Sequence, residues 1–261
     1  MFAPFPARGL PQTEGDISFP RSKRRWIALS ISYRLMHLAR RIFGDQAVLR
    51  FMLNTNWISW RLSYEISMEH YGPAFRNTTY GVSDELFAKW IPRGGSVLDV
   101  GCGAGRLCHM AGAYASRVVG IDYDPVVIAQ ARARNTQPHV EFQVGDVRTA
   151  LPGERFDLAL LVAILEHIQD VDQLLGDVRR LAPRVIVEVP DFEADCLNLV
   201  RRDVGCRWYT DADHVREYIK PVLNDHLVRN GWIPREWQRR GGMILVVADR
   251  DASVGGVLDQ A

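Results

Sequence analysis

Apolar residues along this chain follow two rhythms, and the change comes near residue 92. Before it they recur at helical spacing. At 100° per residue, 26–43 gathers Ile27, Ile31, Leu35, Leu38 and Ile42 on one side of a helix, with Ala28 and Ala39 beside them. Leu29, Met36 and Phe43 widen that arc past half the circumference. Ser30, Tyr33, Arg34, His37, Arg40 and Arg41 fill the rest. Residues 83–91 predict a further helix, with Ser83 as N-cap and Asp84 and Glu85 in its first turn. Pro92-Arg93-Gly94-Gly95 then ends the helical pattern.

Beyond the break, short apolar runs alternate with helical stretches. Strands are predicted at 96–100, 117–122, 140–144, 156–162 and 185–189, and helices at 106–114, 125–134 and 171–181. Asp124 as N-cap and Pro125 at the first helical position mark the start of the 125–134 helix. Strand–helix alternation at this spacing means βαβ units, hence an α/β fold with a parallel sheet covered on both faces. The end of the chain differs: a helix over 220–230, a stop at Gly231, then strands 232–238 and 243–248 around Gly241-Gly242. Two consecutive strands and a tight turn form a hairpin, so one terminal strand must run antiparallel. No internal repeat is present.

Composition changes this picture little, and charge changes it locally. Hydrophobic residues make up 47% and charged residues 24% of 261, ordinary for a protein with a sizeable core. Net charge is +1, so no global field draws the protein to nucleic acid. Residues 1–60 nevertheless hold nine Lys and Arg against three Asp and Glu, and Arg21, Lys23, Arg24 and Arg25 lead into the first helix. Cys102, Cys108, Cys196 and Cys206 form no C-x-x-C pair, which reads as buried reduced thiols of a cytoplasmic protein. The longest apolar runs are strand-sized, so no spanning helix or signal peptide is expected. The expected organisation is a Pro-containing mobile leader at 1–20, a helical extension at 21–91, an α/β domain at 92–250 and a tail at 251–261.

The candidate chemistry begins at Val97-Leu98-Asp99-Val100-Gly101-Cys102-Gly103-Ala104-Gly105-Arg106. Three alternate glycines between a strand and a helix let a ligand approach the backbone and the free N–H groups of the next helix. The dinucleotide fingerprint needs glycine at 106, where Arg106 stands, and the phosphate-loop pattern is absent. What matches is D-x-G-x-G-x-G with Asp122 seventeen positions after the last glycine. This resembles the class I S-adenosylmethionine-dependent methyltransferases over roughly 90–248, with several motifs in the expected order. The resemblance implies a Rossmann-like seven-stranded sheet, six strands parallel and the last antiparallel, behind an N-terminal helical extension. It implies S-adenosylmethionine as cofactor, packed on Gly101, Cys102, Gly103 and Gly105. Asp99 would hold that turn and the ammonium group, Asp122 followed by Tyr123 the ribose hydroxyls, and Asp146 and Val147 the adenine. Val162 would line the site at the end of the fourth strand, while Asp157 is expected to be structural.

Val162-Ala163-Ile164-Leu165-Glu166-His167-Ile168 resembles the Leu-Glu-His segment of small-molecule methyltransferases such as the ubiquinone-pathway O-methylation enzymes. An imidazole at the carboxyl end of a strand suits a base for a hydroxyl, which makes His167 the first catalytic candidate. Packing or hydrogen bonding under the cofactor is its structural alternative. His214, in a stretch resembling the family's His-x-Arg-x-Tyr segment, is the second. There Ile219-Lys220 stands where relatives carry Thr or Ser after the tyrosine. The intervening 190–213 reads as a long structureless insert, a lid or acceptor loop.

The implied function is methyl transfer to a small-molecule acceptor, most readily a hydroxyl of a sugar, lipid-linked precursor or secondary metabolite. A non-catalytic S-adenosylmethionine-binding module and a protein or nucleic-acid methyltransferase are the alternatives. The −5 carried by 61–261 and the absence of an Asn/Asp-Pro-Pro-Tyr segment weigh against nucleic acid. Glu166 alone is too little for a metal, so none is expected. For 21–45 two readings stand open: a lid or homodimer contact, which N-terminal helices of this fold commonly form, and peripheral contact with the inner face of the membrane.

Overall fold

The computed structural model describes residues 27–72, 75, 82–209 and 211–254. The leader, Arg21 to Arg25, Trp26 and 255–261 lie outside them. The chain divides into two units, Met1–Asn77 with Asp195–Trp208, and Thr78–Ala194 with Tyr209–Ala261.

In the first unit, α1 (Ile27–Phe43) and α2 (Asp45–Tyr71) meet at Gly44, whose φ of 83° suits a residue without Cβ. The expected structureless insert is corrected here. Residues 192–194 form a 3-10 turn belonging to the second unit. In the first unit, α8 (Leu197–Asp203) packs against α2. Leu53 joins Val204 and Cys206 in a small apolar cluster, and the buried Arg201 donates to Asn56 Oδ1 at 2.6 Å. That packing adds to local support, since Asp195 Oδ1 accepts from Leu197 N at 2.9 Å and Asp195 pairs with Arg201. Cys196 is exposed, against the expectation for all four thiols, whereas Cys102, Cys108 and Cys206 are buried.

The second unit carries the sheet. Its elements are α3 (Asp84–Trp90), β1 (Ser96–Val100), α4 (Arg106–Ala111), β2 (Arg117–Asp122), α5 (Pro125–Arg134), β3 (Val140–Val144), α6 (Val147–Ala150), β4 (Leu158–Val162), α7 (Val171–Leu181), β5 (Arg184–Pro190), α9 (Lys220–Arg229), β6 (Trp232–Arg240) and β7 (Met243–Arg250). Caps stand where the sequence puts them: Ser83 Oγ accepts from Leu86 N at 3.3 Å, and Asp124 Oδ1 from Val126 N at 2.7 Å. β4 starts two residues later than its apolar run suggests. Asp157 has another task there: its Oδ2 accepts from Ser96 N at 2.7 Å and pins the starts of β1 and β4 together.

The strand order is β3-β2-β1-β4-β5-β7-β6. β7 pairs antiparallel with both β5 and β6, so six strands run one way and the last the other, as expected. Side chains alternate between the two faces. Leu158 and Leu160 enter a core with Phe87, Cys108 and Ile128, while Ala159 and Leu161 enter one with Leu175, Leu223 and Trp232. Among the described residues no helix is long and apolar enough to cross a membrane.

Leu161 is fully buried on a central strand, so Leu161→Ala should destabilise the chain by about 2–5 kcal/mol in urea denaturation. Ile66→Ala, at a position 63% exposed, should stay within about 0.5 kcal/mol of the parent.

Candidate active site

Strand order reverses between β1 and β4. The loops leaving their carboxyl ends go to opposite faces and leave a crevice, the place where open α/β sheets bind ligands. The glycine turn stands on one side of it. Gly101 N and Cys102 N both donate to Ile121 O, at 2.8 and 3.1 Å, which ties the turn to β2. Gly101 and Gly105 hold φ of 67° and 82°, and a Cβ on either would strike Ile164 Cδ1 or the Phe142 ring. Those two glycines serve packing. Gly103, at φ 52°, differs: a Cβ there meets nothing within 4 Å, so its bare backbone faces open space.

Three aspartates surround this turn in different ways. Asp122, half-buried at the end of β2, accepts from Gly103 N at 2.9 Å through Oδ2 and from Asp124 N at 3.0 Å through Oδ1. Asp99 points under the turn, where Cys108 Sγ donates to it at 3.1 Å. Burial pushes its pKa up to about 7. At 2% exposure it has almost no surface for direct contact with an ammonium group, so it steadies the turn from beneath. Asp146 caps α6 through Arg148 N at 2.9 Å and also forms a close ion pair with the Arg148 side chain. That hydrogen bond, resisted by partial burial, holds its carboxyl below the usual range. Val147 and Cys102 are buried, Val162 is half-buried and Tyr123 is 84% exposed.

Across the crevice, Leu165–His167 forms a 3-10 turn three residues beyond β4. Ala163 before it has φ 54°, the left-handed region in a residue that has a Cβ. The backbone then joins two distant segments: Val215 N donates to Glu166 O at 2.9 Å, and Tyr218 Oη to Leu165 O at 3.4 Å. The two candidate histidines thereby become neighbours, their rings 4.8 Å apart and edge-to-face at 79°. His167 is the outer one. Its Nδ1 lies 3.3 Å from Asp213 Oδ2 without hydrogen-bond alignment. His214 is the inner one, its side chain 6% exposed and its Nδ1 2.9 Å from Glu217 Oε1. Burial opposes charge on His214, but the hydrogen bond and charge of Glu217, with Glu166 and Asp211 behind, outweigh it and raise the pKa.

Sequence reasoning named the two histidines as alternatives and missed their partners Glu217 and Asp213. Both stand in the His214 segment, and the signal was there: carboxylates one and three residues from a histidine are within its reach. Glu166 is 1% exposed and its Oε2 has no hydrogen-bond partner, so burial pushes its pKa up to about 7. One ligand atom each from Glu166, His167 and His214 fall within 4.8 Å of one another, a set of donors able to hold a divalent ion.

Residues 98–184 match the family model described as a methyltransferase domain. The likeness is to a methyltransferase domain and covers a third of the chain. Over 163 residues it is 31% identical to the ubiquinone biosynthesis O-methyltransferase of Rhodopseudomonas palustris (strain HaA2), covering 59% of this chain and 64% of that one. With the protein of that name from Bradyrhizobium sp. (strain ORS 278) it shares 30% over 140 residues, 51% of this chain and 54% of that one. The chain thus spans between half and two thirds of the length of these relatives. Among solved structures, an S-adenosylmethionine dependent methyltransferase from Mesorhizobium loti aligns with TM-score 0.52 and 21% identity, over 64% of this chain and 98% of that one. Magnesium protoporphyrin IX methyltransferase from Synechocystis PCC 6803, crystallised with bound SAH, aligns with TM-score 0.54 and 18% identity, over 79% and 100%. These two share its fold.

The glycine turn and Asp122 suit S-adenosylmethionine on two observations. Gly103 leaves room where a side chain would intrude. Each Asp122 oxygen accepts one backbone N–H, leaving lone pairs for two hydroxyls.

Glu166 titrates higher in the domain than in the unfolded chain, whose value is near 4.5. The protonated carboxyl is the form that burial favours. Its contribution to stability is therefore greatest below pH 4.5, falls as pH rises toward 7 and levels off above. Glu166→Gln should remove that loss, making the variant more stable relative to the parent at pH 8 than at pH 4.5. The difference, on the order of 3 kcal/mol, would be read from urea melts at the two pH values.

Proposed function

We propose that the chain transfers a methyl group from S-adenosylmethionine to a hydroxyl of a small-molecule acceptor, with His167 as the base. The observation that carries this reading is one juxtaposition. The open backbone of Gly103 and the half-exposed imidazole of His167 stand beyond the carboxyl ends of neighbouring strands, on either side of one crevice. When bound, the cofactor supplies a methyl on a positively charged sulfur, which a nucleophile takes by direct displacement. Asp122 would accept the ribose hydroxyls. The turn from Gly101 to Gly105 would hold the methionine and ribose portion, and Asp146, its carboxylate shared with Arg148, would hold the adenine with Val147.

The remaining chemistry is a proton transfer. The acceptor O–H proton goes to a ring nitrogen of His167 as the oxygen becomes nucleophilic, and Asp213 stabilises the resulting imidazolium. His214, held by Glu217, backs the His167 ring and fixes its tilt. The acceptor class suggested by the Leu-Glu-His segment is a hydroxylated sugar, lipid-linked precursor or secondary metabolite. The O-methyltransferase names of the similar proteins support the oxygen over nitrogen or carbon. An S-adenosylmethionine-binding module without turnover remains the second reading, because every feature of the glycine turn serves binding alone.

Labelled S-adenosylmethionine offered with a panel of hydroxylated small molecules separates the two: label should appear in an O-methyl product. His167→Ala should cut that turnover by roughly 10²–10⁴ with cofactor affinity little changed by calorimetry. Asp122→Ala should weaken cofactor binding by about 2–3 kcal/mol. Normal turnover in the first variant removes the base, and unchanged affinity in the second removes the ribose contact.

A further inference from the structure

We propose that α1 is a membrane-docking helix that lies in the interface of an anionic lipid bilayer. No residue of α1 is buried, although more than half of its circumference is apolar. One side faces α2 across an apolar groove of about 520 Å³ that includes Leu35, Met36 and Phe43. Beside that groove an apolar stripe is left exposed: Ile27, Ile31, Leu38 and Ile42 are 75%, 51%, 54% and 63% exposed. At 100° per residue Arg34 and Arg41 border this stripe on its far side, placed to reach headgroups while the aliphatic side chains enter the acyl boundary.

Charge selects the occupant. From residue 17 to 44 there is no Asp or Glu, but there are seven Lys and Arg, of which Arg40 is paired with Asp45. The first unit as a whole holds fourteen Lys and Arg against seven Asp and Glu, the second eighteen against twenty-four. A second copy related by a twofold axis would bring the same Arg-bordered stripe against itself, like charge to like. Phosphate headgroups supply the counter-charge that a second copy lacks.

The test is flotation of the full chain with vesicles of phosphatidylcholine alone, or with one part phosphatidylglycerol to three of phosphatidylcholine. The chain should float only with the anionic vesicles and be released at about 0.5 M salt, where surface charges are screened. The double variant Ile31→Glu/Leu38→Glu should lower its partition at least tenfold. Both positions are exposed, so its melting temperature and cofactor affinity should match the parent. Three results would overturn the proposal. The chain stays at the bottom with anionic vesicles at low salt, or the double variant floats like the parent. Alternatively, light scattering finds a dimer that the double variant dissociates.

Discussion

The candidate site depends on a constraint of chain geometry: two parallel strands side by side whose following loops must leave toward opposite faces of the sheet. β1 and β4 are those strands, in register from Val97 opposite Leu158 to Asp99 opposite Leu160. Because their helices cover different faces, a crevice opens beyond their carboxyl ends. Ile164 reaches across from the β4 side and fills the place where Gly101 has no side chain. The glycine turn is thus shaped from both strands, by its own lack of Cβ atoms and by a side chain from the opposite bank.

Strain and buried charge gather at the same crevice. Ala163 is the non-glycine residue with positive φ among the described residues, and it lies between the end of β4 and the Glu166–His167 turn. Its amide donates to Glu188 O at 2.9 Å, and the Glu166 carbonyl accepts from Val215, so the strained backbone is held at both ends. Buried carboxylates are costly unless paired or protonated. Glu166 and Asp99 are each at most 2% exposed, Asp99 accepting from Cys108 Sγ at 3.1 Å, and Glu217 is matched by the ring of His214. A cluster of this kind is hard to maintain for packing alone, since apolar side chains of similar volume would be at least as stable there.

Most of the sheet was legible because its signals are local. β1, β2, β3, α5 and α7 stand at the residues that periodicity, Asp124 and Pro125 indicate. What escaped were features decided by distant partners. The helix at 197–203 packs on Leu53 and bonds Asn56, more than 140 positions earlier, and the beginning of the Phe156 run is taken from β4 by the bond between Asp157 and Ser96. In the site, each histidine was legible by its motif. Their adjacency was not, because it rests on hydrogen bonds between segments some fifty residues apart, Val215 N and Arg216 N donating to Glu166 O and Tyr218 Oη to Leu165 O. The second partner of Asp146 was missed for the opposite reason: Arg148 is two residues away, and a recognised cofactor position drew the reading past it.

The helical unit poses the complementary problem. A helix of 17 residues is marginal in water on propensity alone, and most helical stability in proteins comes from burying an apolar face. α2 has such burial at Val48 and Leu53, the latter against the 197–208 segment, and α1 has none. Its amphipathic pattern is therefore stronger than its folded contacts use. The unused part is also not random: of the exposed Ile and Leu of α1, those at 27, 31, 35, 38 and 42 share one helical stripe with arginines along one border, and Leu29 lies off it. Scattered apolar residues on a surface require no explanation, but a periodic row beside like charges does. A sequence keeps helical spacing where the helix is formed against something. For α1 the proposed lipid interface supplies such a partner, apolar in its depth and anionic at its edge.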